Sequence, residues 1–89
     1  MPWPSEFVDT FVQELTFEDD YSHMIICANI LAKATYDGKH LVTSDAKIVD
    51  FAFFGKQYTR AHLVEMIGSA MVEAMEDSLL EGWLAKIKP

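Results

Sequence analysis

Apolar residues fall three and four positions apart near the start of the chain. Phe7, Val8, Phe11, Val12 and Leu15 share that spacing, while Glu6, Asp9 and Gln13 fall between them. The pattern predicts an amphipathic helix from about Ser5 to Leu15, capped by Ser5 after Pro4. A second helix is expected to start near Thr16 to Asp20, where Thr16 and Asp19 resemble a capping box. Its stripe is Tyr21, Met24, Ile25, Ala28, Leu31 and Ala32, widened by Ile26, Cys27 and Ile30, which suits a helix central to the core. Tyr36-Asp37-Gly38 would end it, because glycine takes the left-handed conformation that closes a helix.

The stretch from residue 39 to 59 admits two readings. In one it is a small β-meander. His40 to Thr43 form a strand and Ser44-Asp45-Ala46 a turn. Lys47 to Phe54 form a longer strand with Val49, Phe51 and Phe53 on one face, and Gly55-Lys56 turn the chain back through Gln57 and Tyr58. In the other it is a helix capped by Ser44 and ended by Gly55. The β-branched and aromatic density of Ile48 to Phe54 favours strands.

Thr59 then caps a long C-terminal helix that runs from Arg60 to about Ile87. Leu63, Met66, Ile67, Ala70, Ala74 and Met75 line its first part, and Leu79, Leu80, Trp83, Leu84 and Ile87 its second. The stripe shifts near Glu76 to Ser78, where a kink is expected, and Gly68 and Ser69 sit inside the helix. The architecture predicted is a single α+β domain: two N-terminal helices, a small β-meander at about 39–58 and a long C-terminal helix. An all-α domain is the alternative. The expected core joins Ile25, Ala28 and Leu31 to Leu63, Ile67 and Ala70.

Composition narrows the function classes. The apolar fraction of 51%, with six Phe, three Tyr and two Trp, supports a folded core. No stretch approaches the roughly 20 apolar residues that span a bilayer, and Met1-Pro2-Trp3-Pro4 lacks the features of a signal peptide. The one cysteine, Cys27, allows no internal disulfide. These features point to the cytoplasm. Fourteen acids against seven bases give a net charge of −7, and no Lys or Arg precedes Lys33. Such a surface disfavours direct contact with nucleic acid or anionic lipid and suits a protein partner with a basic surface.

Candidate chemistry is sparse. His23 and Cys27 lie four apart and would share a helix face, but no Cys-x-x-Cys or His-Glu-x-x-His pattern adds ligands from His40 or His62. Cys27 reads as a buried small hydrophobe without an oriented base, and His23 as a residue at the rim. Glu73, Glu76 and Asp77 read as a solvated helix face, and Gly55-Lys56 lacks the rest of a P-loop. No metal, nucleotide or other cofactor is expected, and no catalytic residue.

Binding features are clearer. An acidic face is expected from Glu73, Glu76, Asp77 and Glu81 or from Glu6, Asp9 and Glu14. Trp3 between two prolines, Phe54, Leu80, Trp83 and Leu84 form the apolar and aromatic candidates. The second half of the last helix is apolar enough to suggest a homodimer through Trp83, unless Trp83 folds back on Phe7 and Phe11. The chain therefore reads as a small acidic, non-enzymatic interaction protein, an inhibitor or adaptor of a larger complex. In size and charge alone it is similar to the small acidic inhibitors of phages and mobile elements, anti-CRISPR proteins among them. A dimeric accessory subunit is the alternative, with a metal protein or enzyme built on His23 and Cys27 behind it.

Overall fold

Every even position from Met24 to Tyr36 is apolar, while the odd positions include His23, Asn29, Lys33, Thr35 and Asp37. That is a period of two, the period of a strand with one buried face. In the computed structural model, which describes residues 5–18 and 23–87, this stretch is a strand, and both expected N-terminal helices are strands. The elements run β1 (Ser5–Glu18), β2 (His23–Asp37), β3 (His40–Phe53), β4 (Lys56–Thr59), α1 (Arg60–Ile67) and α2 (Ser69–Ile87). The four strands form one antiparallel sheet in the order β1-β2-β3-β4, each paired with its neighbour in sequence. The α+β reading with two N-terminal helices is thus corrected, and so is its all-α alternative.

The cause of the error is geometric. Residues four apart lie on one face of a helix and also on one face of a strand. Phe7, Phe11 and Leu15 satisfy both, and in β1 they line up with Phe17 on the side that packs against the core. Val8 and Val12 supplied the spacing of three that suggested a helix, yet they lie on the opposite face, 55% and 68% exposed.

The inner face of the sheet carries Ile26, Ala28, Ile30, Ala32, Ala34 and Tyr36 from β2 and Ala46, Ile48 and Phe51 from β3, all buried. The four alanines among them have little side chain, which lets α2 lie close over β2 and β3. Leu63 of α1 and Val72 and Trp83 of α2 complete the buried set. The expected core is therefore only partly correct. Ala28 and Leu63 are buried and Ile67 packs against the core, but Ile25 is 46% exposed, Leu31 half-buried and Ala70 exposed.

The β-meander exists, but it is longer than expected. His40 to Phe53 is one strand through the expected turn at Ser44-Asp45-Ala46. Its register against β2 shifts between Asn29 and Ile30, where the partners are Asp50 and Ile48, leaving Val49 as a bulge residue. The bulge restores phase so that Ile48 and Phe51, three apart, both point inward, and Val49 points out. A second shift leaves Val42 opposite no partner. Gly38, at φ 63°, opens the two-residue turn from Asp37 to His40. The turn into β4 is Phe54-Gly55, one residue earlier than expected, with positive φ at both residues.

The long C-terminal helix is in fact two. It breaks at Gly68 (φ 90°, ψ 151°), a conformation open to glycine alone, and not at Glu76 to Ser78. Thr59 precedes α1, but its hydroxyl contacts His62 Nδ1 at 2.9 Å instead of capping a backbone N–H. Among the described residues no helix is long and apolar enough to cross a membrane.

Candidate interaction surfaces

Both helices lie on the inner face, so the outer face of the sheet has no covering layer among the described residues. The helix that covers the inner face is held at two places. On the β1 side, Trp83 is buried and donates Nε1–H to Asp9 Oδ2 at 3.1 Å. It belongs to the same cluster as Phe7 and Phe11, with Leu80 and Leu84 partly buried beside it. Trp83 therefore folds back within its own chain, and Asp9 is occupied.

On the β3 side, Glu76 is buried at 3% exposure. Arg60 grips it with two hydrogen bonds, Nε to Oε2 at 2.8 Å and Nη2 to Oε1 at 2.7 Å. The backbone N–H of Ile48 donates to Oε2 at 2.8 Å, and Lys47 Nζ lies 3.7 Å from Oε1. β4 ends opposite Asp50, so Glu76 takes over as the partner of a strand N–H just past that end. Burial alone would push the carboxyl pKa up. The hydrogen bonds from Arg60 and Ile48, with the charges of Arg60 and Lys47, outweigh burial and hold it below the ordinary carboxylate value. The Arg60 guanidinium is raised, first by its hydrogen bond to Glu76 and against its own desolvation.

Glu76 is thus an internal tie, and it drops out of the expected acidic face. The rest of that face is present. Glu73, Asp77 and Glu81 are exposed on α2 at steps of four, on one line along the helix. Asp45 and Ser44 of β3 meet Glu73 and Asp77 across a shallow cleft of about 250 Å³ that also includes Lys47 and Leu80. A second acidic row lies on the outer face of β1, where Glu6, Glu14 and Glu18 are exposed. Glu18 contacts His23 Nδ1 at 2.6 Å. Among the described residues, Glu6, Glu14, Glu73, Asp77 and Glu81 form no ion pair.

Of the aromatic candidates, Trp3 lies outside the described residues. Phe54 is 91% exposed, and its φ of 50° is unusual for a bulky side chain. It stands with Phe53, Ile25 and His23 around a shallow hollow. An apolar groove of about 500 Å³ at the same end is lined by Phe17, Met24, Met66, Ile67, Met71 and Met75. Reading the chain residue by residue missed this groove, although three of those methionines fall in a ten-residue stretch. The Arg60–Glu76 tie carried no signal, because nothing marks residues sixteen apart as neighbours.

His23 and Cys27 do not form a ligand pair. On a strand four residues span about 13 Å, against roughly half that along a helix. Cys27 is exposed on the outer face opposite Glu14, which corrects its reading as a buried hydrophobe. Among the described residues no three His, Cys, Asp or Glu side chains gather as a metal would require. Comparison of the chain with known protein families, with curated proteins and with solved structures finds no match.

Proposed function

We propose that this chain is a non-catalytic binding protein, an acidic adaptor or inhibitor that docks on a basic surface of a larger macromolecular complex. One observation carries the reading: the exposed carboxylates stand in rows, Glu73, Asp77 and Glu81 on α2 and Glu6, Glu14 and Glu18 on β1, while Arg60 and Lys47 are turned to the buried Glu76. Rows of like charge repel one another within the fold and gain when a cationic surface meets them. The contact belongs to the electrostatic kind, steered by charge and weakened by salt.

The test reverses the α2 row. Wild-type chain and a Glu73→Lys, Asp77→Lys, Glu81→Lys variant are immobilised in parallel and exposed to extract from the source cells. A specific partner should be captured by the wild type, lost with the variant, and released as salt rises from roughly 50 to 500 mM. A partner that survives both the reversal and the salt refutes an electrostatic docking surface on α2.

A further inference from the structure

β1 is an edge strand. One side of it pairs with β2 through all 14 of its residues without a shift of register. The other side meets no strand among the described residues. In an antiparallel sheet every second residue directs both its N–H and its C=O to one neighbour. Half of β1 therefore presents donors and acceptors to solvent over a length of about 45 Å.

Edges of this kind are ordinarily blunted by lysine, proline, a bulge, brevity or a covering segment. Between Ser5 and Glu18 there is no Lys, Arg or Pro, and no bulge. The one inward-pointing charge, Asp9, is bound by Trp83, so it is not directed at an incoming strand. Beside the edge, the outer face offers Val8 and Val12 well exposed between Glu6, Glu14 and Glu18.

A second copy of the chain fits this edge poorly. Two-fold antiparallel pairing of β1 with itself joins two strands that each carry four acids and no Lys or Arg. Centred on Thr10 it brings Glu6 against Glu14, centred on Val12 it brings Glu6 against Glu18, and centred on Phe11 it sets Glu14 of each copy against Val8 of the other. No base on the strand offsets the repulsion, and like charges directly opposite destabilise a strand pair. The acids thus repel the chain's own edge and attract one of opposite charge.

We infer that the open edge of β1 is a strand-addition site for an extended segment of a partner protein that carries lysine or arginine at alternate positions. Main-chain hydrogen bonds supply the attachment. The glutamates select the cations, whose alkyl stems lie along Val8 and Val12 on the same outer face, and the intervening side chains of the segment fall on the inner face. The inference rests on the acidic binding role proposed above and adds the mode of contact.

The probe is a synthetic peptide of about ten residues that alternates Lys with Val or Thr. Two further peptides keep its charge and carry N-methyl groups on alternate residues, one on each of the two possible edges. The unmodified peptide should bind and slow amide exchange along β1, with no comparable protection on α2. One N-methylated peptide should lose at least about tenfold in affinity and the other should keep it, because only one edge of the peptide bonds to β1. A Glu6→Lys, Glu14→Lys variant should bind about tenfold more weakly. Equal binding by all three peptides, protection confined to α2, or self-association of the chain through β1 overturns the inference. If the peptides fail in this way while reversal of the α2 row still abolishes partner capture, the edge mode falls and the acidic binding role stands.

Discussion

The two margins of this sheet are built on opposite plans. The β1 margin is one unbroken strand of 14 residues with acids and valines on its outer face. The opposite margin is made of β4, only four residues long, and the part of β3 that β4 does not reach. There the strand bulges at Val49 and Val42, carries Lys47, and has the N–H of Ile48 taken by a helix side chain. One margin has most of the devices that stop a strand from pairing further, and the other has almost none. The difference shows that α2 does two jobs. It covers the core, and through Glu76 it also finishes one edge, while through Trp83 it touches β1 only on the inner face and leaves that edge open.

Removing the anchor on the open side should have the largest effect. Trp83→Ala empties a buried site and should cost about 3–5 kcal/mol in chemical denaturation. A loss under about 1 kcal/mol, the scale of a surface change, would mean that α2 is not held on the β1 side. Removing the anchor on the finished side should cost somewhat less. Glu76→Ala leaves Arg60 and the Ile48 N–H without their partner. The loss should be on the order of 3 kcal/mol, at the low end for a broken buried pair because Arg60 is about one-third exposed.

The same group predicts an acid limb. The Glu76 pKa is lowered on folding, so its contribution is complete above the ordinary value of 4.5 and is lost as pH falls through the lowered one. Glu76→Gln should therefore be less stable than wild type near neutral pH and converge on it in acid. Parallel curves across that range would show that the carboxylate is not tied as described. The smallest effect concerns the turn into β4. Phe54→Asn should relieve a left-handed backbone cost of about 1 kcal/mol. It loses an exposed edge-to-face contact with Phe53 worth about half that, so a gain of a few tenths is expected in the melting curve. A clear loss would show that Phe54 contributes to the fold.

Much of this was legible in principle, and the reasons for the failures are specific. The even-numbered run from Met24 to Tyr36 is a strand pattern, obscured by Ile25, Cys27 and Leu31, whose apolar side chains stand on the exposed face and fill out a helical stripe. Phe7, Phe11 and Leu15 were ambiguous by arithmetic. The strand character of Ile48 to Phe54 was readable from β-branched density, but its faces were not, because the bulge at Val49 changes the phase locally. The helical character of Arg60 to Ile87 was readable, but a glycine inside a helical pattern does not by itself mark a break, and the positive φ of Gly68 belongs to the fold. The α2 acids at 73, 77 and 81 could be placed on one face from spacing. The burial of Glu76 could not, since it depends on Arg60 and a strand N–H brought in by the tertiary fold.

The meander also orders events during synthesis. Each strand pairs with the one made just before it, so the sheet is assembled from contacts near in sequence. The segment that covers its inner face is made last, and the tie from Trp83 to Asp9 spans 74 positions. Once the chain has emerged from the ribosome as far as Thr59, and before α2 follows, the sheet has Ile26, Ile30, Ile48 and Phe51 still facing water. The nascent chain is most exposed to chaperones and to wrong pairing in the interval before α2 emerges.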